Sequence, residues 1–202
     1  MKPTLHRIVF VAALGPLAYL VWAAVFDRLG ANPIDMITDE TGTWTLRFLV
    51  ATLAITPLRR ITGWAGLAPL RRTLGLFAFF YATLHFLTYV VLDQFFDVRA
   101  IVADIGKRPF ITAGFTALVI MTPLAVTSTQ RMVRRLGGRN WRRLHRLAYV
   151  AAVVAVVHYW WLVKADIRRP LAYAAVVGAL LLVRLWWAWR AQAISRFSAQ
   201  RT

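Results

Sequence analysis

Residues 73–92 read TLGLFAFFYATLHFLTYVVL, an apolar stretch without a single Lys, Arg, Asp or Glu. A run of about 20 apolar residues crosses the hydrocarbon core of a bilayer as a helix. His85 lies inside this stretch. Because an ionisable side chain at bilayer depth is costly, a histidine there indicates a functional site. The stretch therefore predicts a transmembrane helix that carries a candidate functional side chain.

Five further apolar segments accompany this one, and 59% of the 202 residues are hydrophobic. The loops between the segments are short, so we predict an all-α integral membrane six-helix bundle. It forms a single transmembrane domain over residues 1–202. The second segment is short for a span and needs snorkelling arginines or local thinning of the bilayer. The six predicted helices cover residues 8–26, 44–58, 73–92, 110–127, 144–163 and 171–189.

The charged residues are distributed unequally between the two ends of these helices. One end, formed by residues 1–7, 59–72, 128–146 and 190–202, holds sixteen Lys and Arg and no acidic residue. All eight Asp and Glu belong to the opposite end. Basic residues remain on the cytoplasmic side of a membrane protein. The pattern predicts a multi-pass membrane protein, with the N-terminus and the C-terminus both cytoplasmic.

Composition excludes several other functions. The net charge is +17, which in a soluble protein would indicate a nucleic-acid partner. Here the basic residues lie between apolar spans, so membrane topology explains them and we expect a lipid bilayer, not nucleic acid, as the surroundings. The chain has no cysteine. That removes disulfides, thiolate-ligated zinc and cysteine-ligated iron–sulfur clusters.

A second histidine, His158, lies in the apolar segment 144–163. His85 is about 18 Å beyond the inner end of its helix, and His158 is about 9 Å short of the outer end of its own. The two imidazoles therefore share a depth in the outer leaflet. Zinc requires three or four ligands, whereas haem iron requires one or two. We predict that His85 and His158 are the axial ligands of a haem b and that the protein transfers electrons.

Other interpretations of the same residues stay open. The two histidines can be packing residues of a non-redox membrane assembly or transport protein. The chain can also be a stand-alone transmembrane metalloreductase that gives electrons directly to ferric or cupric ions. His145 lies among interfacial arginines, where a solvated role is common. Arg184 stands within the last apolar segment and either snorkels inward or meets a haem propionate or a quinone headgroup.

One motif adds a resemblance to this argument. The run Trp141-Arg142-Arg143-Leu144-His145, with His158 thirteen residues after His145, resembles the ferric-reductase-like transmembrane superfamily. Within it, residues 4–195 are similar to the haem-binding membrane subunits of periplasmic methionine sulfoxide reductase systems. The resemblance implies a non-catalytic subunit that takes electrons from the quinone pool or a flavin donor. It would pass them to a periplasmic molybdopterin methionine sulfoxide reductase subunit that repairs oxidised proteins, with FMN as a second cofactor. The resemblance also implies that the protein lies in a bacterial cell inner membrane.

The chain departs from the wider superfamily at one position. In that superfamily, two histidines on helix three and two on helix five hold two stacked haems. Fourteen residues before His85, at the inner ligand position, this chain has Arg71. A guanidinium does not deprotonate in proteins and is a poor ligand for iron. We therefore predict one well-formed haem, with His145 and Arg71 as contacts for a second cofactor or for a propionate.

Overall fold

A computed structural model describes residues 3–163 and 165–199, and every regular element in that part of the chain is helical. Lys2, Lys164 and Arg201, which contribute to the charge pattern, lie outside the described residues. The helices are α1 Pro3–Val25, α2 Pro33–Thr62, α3 Leu70–Thr88, α4 Val98–Lys107, α5 Pro109–Val126, α6 Gln130–Leu136, α7 Gly138–Leu144, α8 Leu147–Leu162 and α9 Arg168–Ala199. A 3-10 turn, Ala65–Leu67, precedes α3, and a π-helical turn, Tyr89–Asp93, continues it.

Each of the six predicted segments overlaps one helix, and these helices are α1, α2, α3, α5, α8 and α9. The largest difference is at α2, which begins at Pro33 instead of residue 44. Asn32 caps it by accepting a hydrogen bond from the backbone N–H of Asp35, and proline at the first helical position suits a helix start. The short helices α4, α6 and α7 were not predicted. The segment 144–163 begins later, at Leu147, because residues up to Leu144 belong to α7.

Among the residues that the structure describes, four stretches are long and apolar enough to cross a membrane: Leu5–Val25, Ala65–Asp93, Pro109–Val126 and Arg168–Ala193. Helix α8 has 16 residues, which at 1.5 Å per residue is about 24 Å. Apolar side chains face outward on the peripheral helices; Leu182 and Leu185 of α9 are 67% and 66% exposed. This reversal of the usual pattern is what a lipid environment requires.

The bundle is built around α2, α3, α5 and α8. Helix α2 packs along α3 and α5 packs along α8, while α3 also contacts α5 and α8 also contacts α2 and α9. Phe48, Phe77 and Tyr81 lie in the central core. Ala151 and Ala152 of α8 are fully buried, and small residues of this kind allow helices in a membrane to approach closely.

Helix α1 is fastened to α3 by side-chain hydrogen bonds. The hydroxyl of Tyr81, which is fully buried, donates to the carbonyl of Ala13 at 2.9 Å and accepts from the N–H of Leu17 at 3.0 Å. These groups flank Pro16, whose missing N–H weakens the helix at that point. The Nε2 atom of His6 lies 2.8 Å from the hydroxyl of Thr73. Helix α3 is therefore held between α1 and α2 when it presents His85.

Candidate functional site

The structure brings the rings of His85 of α3 and His158 of α8 next to each other. Their ring centres are 6.0 Å apart and their planes are inclined at 76°. The sequence predicted that the two side chains share a depth, and the structure places them together. Both rings are partly buried. They lie at the end of the bundle where α2 and α5 begin.

The Nδ1 atom of His85 is 3.0 Å from the carbonyl oxygen of Thr38 on α2. A carbonyl only accepts hydrogen bonds, so this contact assigns the proton of the neutral ring to Nδ1. The lone pair of Nε2 then remains for a ligand. A hydrogen bond from Nδ1 to a carbonyl is the usual way in which a protein orients a metal-binding histidine.

His158 has the same arrangement on the other side. Its Nδ1 atom is 2.6 Å from the carbonyl oxygen of Phe110 on α5. This contact again places the proton on Nδ1 and leaves Nε2 as the free lone pair. Both imidazoles are therefore held by backbone atoms of a neighbouring helix, in the tautomer that leaves Nε2 free to bind a metal.

A glycine lies against each of the two rings. A Cβ atom at Gly42 would lie 3.0 Å from Cε1 of His85, and one at Gly114 would lie 2.8 Å from Nδ1 of His158. Gly42 follows Thr38 by four residues, and Gly114 follows Phe110 by four residues. In a helix, positions four residues apart lie on one face, so the imidazole rests on the glycine and reaches the carbonyl one turn earlier.

These two contacts form a repeated unit that sequence reasoning did not identify. We call it the glycine seat: a backbone carbonyl and, four residues later, a glycine, on the helix next to each histidine. Gly42 and Gly114 are the seats' glycines, and Thr38 and Phe110 supply the carbonyls. A lone glycine within a helical pattern is a weak signal for close packing, but it does not show which side chain it meets.

The geometry of the pair can be compared with what a metal requires. A bond from a metal to an imidazole nitrogen is about 2 Å long. Since the ring centre lies roughly 1 Å further on, two imidazoles on opposite sides of one ion have centres about 6 Å apart. The separation of 6.0 Å between His85 and His158 matches this value. In the described part of the chain, no group of three or more His, Cys, Asp or Glu could hold a metal ion. The residues present fit a metal that takes two protein ligands, as a haem iron does.

His145 and Arg71 lie elsewhere. His145 follows α7, before α8 begins, and its Nε2 atom is 3.0 Å from the hydroxyl of Thr127. The ring stacks on Trp141, with the two centres 3.9 Å apart. Burial, and then the positive charge of Arg71, hold the pKa of His145 below its ordinary value. The structure thus places His145 within the electrostatic reach of Arg71, away from the His85–His158 pair.

Comparison with known proteins gives a consistent result. The model of the family described as "Ferric reductase like transmembrane component" matches residues 41–156. A protein of Herminiimonas arsenicoxydans is 54% identical over 92% of this chain and 86% of its own length. A protein of Rhodospirillum rubrum is 55% identical over 91% and 89%, and one of Xanthomonas oryzae pv. oryzae is 49% identical over 96% and 90%. All three carry the name protein-methionine-sulfoxide reductase heme-binding subunit MsrQ.

The chain belongs to the MsrQ family. The resemblance derived from the run around His145 is thereby confirmed, and with it a membrane protein of the ferric-reductase-like type. The matched residues 41–156 include both glycines of the seats, as well as His85 and His145. They end just before His158, so the family match alone does not identify the second member of the histidine pair. Its identification depends on the geometry.

Proposed function

We propose that this MsrQ family member is a haem b electron-transfer subunit. It would carry electrons across the bacterial inner membrane to a periplasmic methionine sulfoxide reductase. The observation that supports this best is the histidine pair, with ring centres 6.0 Å apart and each Nδ1 bonded to a backbone carbonyl. The names of its relatives, which describe heme-binding subunits, agree with this function.

In this proposal Nε2 of His85 and Nε2 of His158 hold the haem iron. A haem in that position supplies a one-electron couple between ferric and ferrous iron. The chain's own residues orient the two imidazoles, keep the proton on each Nδ1 and surround both imidazoles with apolar helices. With both imidazoles bound, the iron would have no position left for oxygen, and this would favour electron transfer over oxygen chemistry.

The remaining parts of the proposal concern topology and partners. We propose six membrane spans in one domain, with both termini cytoplasmic, so that the histidine pair lies in the outer half of the bilayer. The asymmetry of the basic residues supports this orientation. The electron donor would be the quinone pool or a flavin donor, and the acceptor an MsrP-like molybdopterin subunit. The donor, the acceptor and FMN as a second cofactor are supported by the family resemblance alone.

The test is a stopped-flow experiment on the chemically reduced protein in detergent, in which the absorption of the reduced haem is followed. We expect the reduced haem bands to disappear when a molybdopterin methionine sulfoxide reductase and methionine sulfoxide are both added. Addition of ferric citrate without the enzyme is the comparison. The His85→Ala variant should show no haem bands to oxidise. Its matched control is His145→Ala, which alters a histidine away from the pair. Rapid oxidation by ferric citrate and none by the enzyme would instead identify a stand-alone metalloreductase.

A further inference from the structure

Arg184 of α9 reaches into the space between α2 and α8. One terminal N–H group of its guanidinium donates to the hydroxyl of Tyr149 at 2.7 Å, and another donates to the carbonyl of Leu53. The third nitrogen of the guanidinium, Nε, is buried, and no hydrogen-bond partner for its N–H group is present among the described residues. An unmet buried donor on a charged group costs free energy, so the chain's own groups do not fully compensate the guanidinium of Arg184.

The charge of Arg184 is also unbalanced. Helix α8 has no acidic residue, and the last one on α2 is Glu40, thirteen residues or about 20 Å before Leu53. In the part of the chain that the structure describes, the ion pairs join Arg108 to Asp104 and Arg168 to Asp166. A guanidinium cannot lose its proton to avoid the cost of burial. An external anion would remove that cost.

A cleft of about 230 Å³ adjoins Arg184. A water molecule occupies about 30 Å³ in the liquid, so the cleft has room for a larger group. Its lining includes a second arginine, Arg60, whose guanidinium lies 4.5 Å from the ring centre of Trp187. The hydroxyl-bearing residues Thr56 and Tyr149 complete the polar side. Two guanidinium groups and two hydroxyl-bearing side chains thus converge on one cleft between α2, α8 and α9.

We propose that this cleft binds the phosphate group of a ligand. A neutral carbonyl compound could accept one hydrogen bond but would leave the positive charge of Arg184 unbalanced. A phosphate has several oxygens that can accept from the guanidinium N–H groups not used by Tyr149 and Leu53, and it supplies the negative charge. The phosphate can belong to an anionic phospholipid of the surrounding leaflet or to a soluble phosphate monoester. This site is separate from the histidine pair and does not depend on haem binding there; its soluble arm rests on the second cofactor of the proposed function.

The test uses the full-length protein in phosphatidylcholine nanodiscs. Phosphatidylglycerol in the nanodisc is the lipid probe. FMN in solution is the soluble probe, with riboflavin, which lacks the phosphate, as its control. Native mass spectrometry counts bound lipid and fluorescence titration measures flavin affinity. The variants are Arg184→Gln and Arg60→Gln. Arg59→Gln is the matched control because Arg59 is exposed, adjoins Arg60 and does not line the cleft.

We expect one of the two phosphate probes to bind wild type and Arg59→Gln equally. The same probe should bind Arg184→Gln about tenfold more weakly, because a charge-assisted hydrogen bond is lost. Phosphatidylglycerol retention would identify a lipid, and FMN binding a soluble ligand. Riboflavin that binds as tightly as FMN, equal binding by Arg184→Gln, or no binding of either probe would overturn the proposal. If Arg184→Gln does not fold, the same comparison is made with Arg60→Gln, whose side chain is exposed.

Discussion

Gly114 of α5 lies directly against the imidazole of His158. A Cβ atom at Gly114 would lie 2.8 Å from Nδ1 of the histidine, nearer than packed carbon and nitrogen atoms can come. The same Nδ1 atom is only 2.6 Å from the carbonyl of Phe110, so the ring cannot move away without breaking that hydrogen bond. His158 can therefore occupy this position only because residue 114 has no side chain.

Gly114→Ala is expected to displace His158 and weaken haem binding. The added methyl group lies too close to the ring, and either the helix or the histidine must shift. We expect the haem-to-protein ratio after purification to fall by at least about half, as measured by the pyridine haemochrome assay. Gly178→Ala is the control, because a Cβ at Gly178 meets nothing within 4 Å. Full haem content in Gly114→Ala would show that the seat at α5 does not position the ligand.

Gly42→Ala is expected to have a smaller effect of the same kind. Here a Cβ would lie 3.0 Å from Cε1 of His85, a contact that a shift of a few tenths of an ångström relieves. Haem should be retained, while the reduction potential moves because the hydrogen bond from His85 to Thr38 is altered. Potentiometric titration measures this change. Gly75→Ala, with its nearest contact at 3.6 Å, should titrate like wild type.

The purified protein is expected to contain one haem per chain. His145 is engaged by Thr127 and Trp141, and no second histidine faces it among the described residues. Arg71, at the inner ligand position of the wider superfamily, is a poor ligand. His145→Ala should therefore leave the haem content unchanged. Two haems per wild-type chain, falling to one in His145→Ala, would show that the inner site is also occupied.

Tyr81→Phe is expected to lower the thermal stability of the protein without a change in its haem spectrum. The substitution removes the hydroxyl that bonds to Ala13 and Leu17, and leaves these backbone groups of α1 without that partner. Loss of partners for buried polar groups costs about 1–3 kcal/mol. Thermal unfolding in detergent measures the effect. Tyr19→Phe, which changes an exposed tyrosine, is the control and should unfold at the wild-type temperature.

The sequence predicted the parts of the site that depend on local pattern. Apolar length located the long helices, and the cost of an ionisable group in lipid identified His85 and His158. The glycine seats could not be predicted in this way. Whether Gly42 meets His85, or Gly114 meets His158, depends on the rotation and spacing of separate helices, which a single sequence does not contain. Asn32 and Pro33 mark the early start of α2 in the sequence. The first turns of this helix are polar, so a prediction from apolar residues did not include them.

The role of Arg184 shows the same limit. From the sequence, an arginine near the end of an apolar segment is expected to snorkel to the interface or to meet a propionate or a quinone. The structure directs its guanidinium between the helices, to the hydroxyl of Tyr149 and to the carbonyl of Leu53. That choice depends on α8 and α9 lying side by side with α2. Only the packed bundle brings these three residues together.

The most direct test of the central claim is a reduced-minus-oxidised absorption spectrum of the detergent-purified protein, recorded for wild type, His85→Ala and His158→Ala. If both imidazoles hold one iron, the wild type shows sharp b-type haem bands, which each single variant loses, and both variants remain folded in the membrane. A wild-type protein that is colourless after expression with added haem would contradict the account. Unchanged bands in either variant would contradict it equally.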